Sequence, residues 1–257
     1  MDNIRFLLKF GEREHLEGLA NHTLYFNNAL YFRGVEKNMK IKGQGDKLEA
    51  SMKLLSAKAT MVDDNGRTVF KNVTADFHIL IQPVEKTPVF CLFAVFDKDC
   101  ICNEHGKWFI HLPSHAKETI REHFPKANAV AIIKDPSAFI TEIAGSIGTN
   151  CMSDLVHYFD IDDGVLNEAT NMRYVSADYI KYLVQDVEPV KVEGRREYSV
   201  EVKHVFRTLF CKDTFYKDEQ EYRIILPDHT IEQGTPYSAH FSEKLEILDL
   251  EDFFNHC

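Results

Sequence analysis

The sequence predicts an α+β fold, a mixed central β-sheet with flanking helices, in one domain spanning residues 1–257. Two observations predict it. Runs of apolar, β-branched and aromatic residues of strand length recur from one end to the other, as at Arg5–Phe10, Val89–Phe96 and Tyr222–Leu226. Segments with helical spacing fall between them irregularly, without the helix after every strand that a doubly wound sheet requires. With 257 residues, 44% hydrophobic and 27% charged, the chain has the apolar content to bury a substantial core.

Taken in order, Arg5–Phe10 reads as a buried strand ending at Gly11, and Glu12–Leu19 as a helix with His15, Leu16 and Leu19 about one turn apart. A short strand, Thr23–Asn27, follows. The next stretch, through Arg33, reads as a turn with a short helical segment. Lys37–Ala50 lacks periodicity and carries Gly43 and Gly45, so a loop is expected. Asn65-Gly66 between Thr60–Val62 and Thr68–Phe70 signals a hairpin. Phe77–Gln82 and Val89–Phe96 are longer strands, the second apolar almost throughout and therefore covered on both faces. Trp108–His111 adds another. Ser114–Phe124 is a helix with Ser114 as its N-cap, Val130–Ile133 a strand, and Pro136–Ala144 a helix closed by Gly145. Beyond Cys151, Leu155–Phe159 reads as a strand, Tyr174–Val184 and Tyr198–Phe210 as helices, and Tyr237–Phe241 and Leu245–Leu250 as closing strands.

The formal net charge is −10 and the basic residues are scattered, which argues against a broad phosphate-binding surface. No apolar run reaches the roughly 18 residues of a membrane span, and the N-terminus has the wrong flanks for a signal peptide. A cytoplasmic protein is expected, its six cysteines reduced.

The chemistry concentrates near the C-terminus. In Phe215–Leu226, an aromatic and acidic loop switches into an extended run. Alternation along a strand would set Glu219, Glu221 and Arg223 on one face and Tyr222 and Ile224 on the other. Two acids and a guanidinium on a core strand are costly unless they meet a ligand, a metal or a partner charge. The plain alternative is a solvated Glu221–Arg223 pair at a sheet edge.

The run Glu219-Gln220-Glu221-Tyr222 resembles the last motif of ADP-ribosyltransferase-like proteins, including toxin and phage-defence effectors. With Arg223-Ile224 it is also similar to a group of prokaryotic and phage proteins that carry a Glu-x-Glu-Tyr-Arg strand. Leu8-Lys9-Phe10, His15–Leu19, Leu24–Asn27 and Gly45–Glu49 resemble that group's opening strand, helix, strand and acidic loop. The resemblance implies an ADP-ribosyltransferase-like core, NAD as cofactor and transfer of ADP-ribose to a macromolecular acceptor, nucleic acid or protein, with an antitoxin or chaperone as a further partner. It implies that Glu221 orients the nicotinamide ribose and stabilises the cationic transition state, and that Glu219 positions the acceptor nucleophile. Tyr25 or Tyr31 would stack on the nicotinamide and Arg33 would meet the pyrophosphate. The family's first strand places a His or Arg on NAD. Here Lys9 stands at that position, and it offers a phosphate a point charge without arginine's planar fork. Lys37, Lys40, Lys42 and Lys47 could guide a nucleic-acid strand, or could simply be a solvated loop.

Other motifs carry less. Cys100, Cys102, His105, His111 and His115 cluster in sequence, but their spacings do not form the two paired sets of a structural zinc site, and no metal is assigned. Gly145-Ser146-Ile147-Gly148 follows a helix, where it reads as a C-cap rather than a phosphate cradle. Asp160–Gly164 resembles the start of a calcium loop without its later glutamate. The rival to the enzyme is a non-catalytic phage or mobile-element protein that binds and inhibits a host or defence protein. It predicts Glu219, Glu221 and Arg223 held in internal ion pairs, whereas the enzyme predicts an open cleft between their strand and the Lys9–Arg33 region.

Overall fold

Ile4–Gly11 (β1) runs through the middle of a six-stranded sheet in the computed structural model, which describes residues 3–39, 46–148, 150–187, 190–192, 195–197 and 202–257. Helix Arg13–Ala20 (α1), strand Thr23–Phe26 (β2) and helix Ala29–Met39 (α2) follow it. The sheet then gains Val89–Phe96 (β3), and helix Ser114–His123 (α3) leads to Ala129–Ile133 (β4). Helix Pro136–Ile147 (α4) and strand Met152–Leu155 (β5) come next. Glu221–Ile225 (β6), Thr235–Ser238 (β7), Glu246–Asp249 (β8) and helix Leu250–His256 (α5) complete the set.

The strand order is β8-β4-β1-β3-β6-β5, and every neighbouring pair is antiparallel. The α+β class therefore holds, but this sheet is not mixed. The parallel pair lies elsewhere, between His157–Phe159 and Cys211–Asp213. Alternation gives the sheet two apolar faces. Leu7, Phe90, Leu92, Tyr222 and Ile224 pack with Leu16 and Leu19 of α1 and Phe139 and Ile143 of α4 on the first face. Leu8, Phe10, Phe93 and Val95 pack with Ile120 of α3 and Leu250, Phe253 and Phe254 of α5 on the second. β3 is thus covered on both sides, as its unbroken apolar sequence predicts.

The chain groups into two compact units. The first comprises Met1–Lys47, Lys86–Val156 and Tyr216–Cys257, and holds the six-stranded sheet. The second comprises Leu48–Glu85 and His157–Phe215. Its main feature is a ribbon of two long strands, Ser51–Val62 and Thr68–Leu80. The Asn65-Gly66 turn is where the sequence placed it, with Asp63 Oδ1 accepting from the main-chain N–H groups of Asn65 and Arg67. The expected strand Phe77–Gln82 is the far end of this ribbon rather than a separate element. In the same unit, Asp213 accepts from the N–H groups of Ile161 and Asp162, and Lys53 pairs with Asp162, so the Asp160–Gly164 turn is tied by protein groups.

Several boundaries moved for identifiable reasons. Asn28 Oδ1 caps α2 by accepting from Tyr31 N, and the helix runs on to Met39 through what was read as loop. Residues 40–45, with Lys40 and Lys42, lie outside the described residues. Ser114 is the first residue inside α3 rather than its cap. α4 is capped by Asp135 on Ala138 N and continues past Gly145 to Gly148, whose φ of 69° supplies the left-handed stop. The expected helix from Tyr198 lies partly outside the described residues; Val202–Val205 and a 3-10 turn, Phe206–Phe210, cover its end.

Candidate functional site

β6 is buried along its whole length, with β3 on one side and β5 on the other. Tyr222 and Ile224 belong to the first face, so Glu221 and Arg223 point to the second. Glu221 aligns with Phe93, which aligns with Leu8, setting the carboxylate in a row with apolar neighbours. Its partner lies two residues along the same strand. Arg223 Nε donates to Glu221 Oε1 at 2.7 Å and a terminal guanidinium nitrogen donates to Oε2 at 3.1 Å, with the residues 1% and 6% exposed. This is the forked arrangement in which arginine binds a carboxylate most tightly.

Glu219 departs from the expected pattern. It ends a 3-10 turn, Thr214–Glu219, and Gln220 takes a left-handed φ of 40°, which breaks strand alternation before β6 begins. The Glu219 carboxylate turns to His123 at the end of α3, 2.8 Å from Nδ1, with both side chains buried. Gln220 is fixed by its amide donating to Asp99 Oδ2 at 3.2 Å and by its carbonyl accepting from Ala94 N at 2.8 Å. Sequence reasoning missed His123 and Asp99 because their partners lie about a hundred residues away.

Lys9 sits where the sheet opens. β1 keeps its β4 partner to Gly11, but its ladder with β3 stops at Leu8 and Phe93. Farther along, β3 takes up Asn27 at the end of β2, through Val89 N to Asn27 O at 2.7 Å and Asn27 N to Val89 O at 3.1 Å. In the interval, Lys9 Nζ donates to the main-chain oxygen of Cys91 at 2.6 Å and lies 4.6 Å from the centre of the Phe90 ring. Burial holds the Lys9 ammonium below the usual lysine range, with Cys91 and Glu221 opposing the shift. Burial also pushes the Cys91 thiol up, and the Glu221 charge adds to it.

The remaining candidates lie apart from β6. Tyr25 is 55% exposed on β2, its ring against Gly234, and Tyr31 is 51% exposed in the first turn of α2. Arg33 is half-buried farther along α2. Leu24 and Phe26 of β2 pack on the first face of the sheet, as Lys9 does through Phe90. The sheet therefore sets Glu221 and Arg223 on its second face, with Glu219 joined to His123 at the end of α3, and leaves Lys9 and Tyr25 on the first. Among the described residues no three His, Cys, Asp or Glu side chains converge as a metal cluster, and no helix is long and apolar enough to cross a membrane.

Compared with protein-family models, curated proteins and solved structures, the chain matches none.

Proposed function

We propose that this chain works by binding another protein, as a cytoplasmic, non-catalytic factor of the kind phages and mobile elements use to inhibit a host or defence protein. The observation that carries this reading is the ribbon. Toward the Asn65-Gly66 turn, the two-stranded Ser51–Val62/Thr68–Leu80 element presents Met61, Val69 and Val73 to solvent, with Val69 60% exposed. A long two-stranded ribbon with several exposed apolar side chains is an unfavourable surface to leave in water and a useful one to press against a partner. Bulges at Ser56 and Asn72, both at positive φ, distort the ribbon's edges, so contact through side chains is favoured over strand addition. The Glu221–Arg223 fork and the Glu219–His123 contact agree with the reading, since both acids have structural partners.

ADP-ribosyl transfer from NAD to a nucleic-acid or protein acceptor is the second reading, and the opening between β1 and β3 favours it. There the Lys9 ammonium, donating to the Cys91 carbonyl beside the Phe90 ring, is the cation that a pyrophosphate would meet.

One set of variants separates the two. Wild type, Val69→Asp/Val73→Asp, Lys9→Met and Glu221→Gln are each confirmed to be folded at the assay temperature. They are then expressed in a bacterium scored for growth and phage resistance, and purified for a labelled-NAD transfer assay. Binding predicts loss of effect only in the ribbon variant and no NAD turnover by any protein. Turnover by wild type that Lys9→Met and Glu221→Gln abolish would replace the binding reading with the transferase.

A further inference from the structure

In the first unit a short hairpin joins strand Cys100–Cys102 to strand Trp108–Ile110, with Cys100 opposite Ile110, Ile101 opposite Phe109 and Cys102 opposite Trp108. Alternation sets both cysteines, Trp108 and Ile110 on one face, and Ile101 and Phe109 on the other. The turn is fixed by Asn103 Oδ1, which accepts from the N–H groups of His105 and Lys107, and by Gly106 at a φ of 74°. At one end of the cysteine face, Cys100 and Ile110 pack against the second apolar face of the sheet. At the other, Arg5 lies 4.3 Å from the centre of the ring of Trp108, the residue across from Cys102, and within electrostatic reach of both thiols. Neither cysteine is in a disulfide. Cys102 is exposed, and its Sγ has a long, weak contact of 3.6 Å to the Asn103 carbonyl.

Side chains two apart on a strand leave it about 6.5 Å apart, whereas a disulfide needs Cβ atoms about 3.5–4.5 Å apart. The pair therefore cannot close on itself without leaving the strand. Two metal–sulfur bonds near the roughly 2.3 Å of zinc thiolates, set in line, span about 4.6 Å between sulfurs, which two parallel side chains meet by leaning together. The neighbouring carboxylates are committed elsewhere, Asp97 to Arg5, and Asp99 to the Phe96 N–H and the Gln220 amide. Among the described residues no third His, Cys, Asp or Glu completes a metal cluster. Two soft donors without a third suit a thiophilic ion that accepts two ligands, and do not suit zinc, which takes four. We propose that Cys100 and Cys102 bind one monovalent soft metal ion of the Cu(I) class as a two-coordinate bis-thiolate. Both thiol protons pass to solvent, the complex carries one net negative charge, and Arg5 supplies the counter-charge. The site lies in the first unit and does not depend on the ribbon that carries the protein-binding reading.

The test is titration of the reduced full chain with Ag(I) in chloride-free buffer and with Cu(I) under nitrogen, followed through the fluorescence of Trp108, the only tryptophan. Quenching that saturates at one equivalent of either ion is expected, and Zn(II) at the same concentrations should leave the emission unchanged. Cys100→Ser and Cys102→Ser should each weaken binding by at least about a hundredfold, the upper end of what losing a hydrogen bond behind a metal ligand costs. Cys257→Ser, which keeps the pair, should match wild type. An unquenched Trp108 at one equivalent, single-serine variants at 100 or 102 that bind as wild type does, or Zn(II) binding as tight as Cu(I) overturns the proposal. A Cys100–Cys102 disulfide recovered from the native chain after treatment with diamide would also overturn it, because the strand spacing would then not keep the sulfurs apart.

Discussion

Replacing Glu221 by glutamine preserves the shape of the side chain and removes the charge that the Arg223 fork holds. Arg223 is 1% exposed, with its Nε 2.7 Å from Glu221 Oε1, so the variant leaves a guanidinium in the sheet interior without that carboxylate. Breaking a buried pair on one side costs about 3–5 kcal/mol. For a chain of this size each kcal/mol shifts the melting temperature by about 2–4 °C, so a fall of about 6–20 °C is expected. The assay is thermal unfolding followed through Trp108, the only tryptophan in the chain, which lies in the same unit and has Arg5 stacked 4.3 Å above its ring. Glu221→Met/Arg223→Met should recover much of the loss, because replacing both partners by apolar side chains removes the buried charge together with its partner. A fall below about 2 °C in Glu221→Gln, or a double variant that loses the sum of the two single losses, would show that the fork does not hold the strand.

Lys9→Met should stabilise the protein at pH 7. Burial lowers the folded-state value of Lys9 below the 10.5 of an unperturbed lysine, so the folded chain releases this proton more readily than the unfolded one. The resulting penalty is present at neutral pH and disappears as pH rises through the folded value toward 10.5. Urea titrations at pH 7 and pH 10 should therefore show the advantage of Lys9→Met shrinking at the higher pH, and a constant gap would refute it. Thiol labelling gives a separate check: exposed Cys102 should react with a disulfide reagent at pH 8 in the native protein, while Cys91, raised by burial, and buried Cys211 should react only in denaturant. Asn28→Ala removes both the α2 cap and the 2.6 Å donation from Nδ2 to Ile231 O, and a loss of about 1–3 kcal/mol by chemical denaturation is expected.

What could be read from sequence was what alternation and turn chemistry determine locally. β6 lies where its aromatic and β-branched residues placed it, and Asn65-Gly66 turns the ribbon. Glu221 and Arg223 share a face because they are two apart on one strand. Glu219 fails that rule because Gln220 adopts a left-handed φ, a conformation nothing in the residue type announces. The choice between the two faces was equally hidden. Lys9 and Glu221 were read as two walls of one cleft, yet the register Leu8–Phe93–Glu221 places Glu221 in line with Leu8 and therefore sends the adjacent Lys9 to the other side. That parity depends on pairings between strands more than eighty residues apart, and a slip of one residue in the β1–β3 pairing would reverse it. The end of the same ladder explains why Lys9 remains near Glu221 despite facing away. Once β1 leaves β3 after Leu8, the lysine ammonium donates to the Cys91 carbonyl and lies beside the Phe90 ring of the first face. The tie between Lys9 and Glu221 is therefore electrostatic, and Phe90→Leu, which removes the ring beside the ammonium on the first face, should alter the titration of Lys9 while leaving the Glu221–Arg223 fork in place.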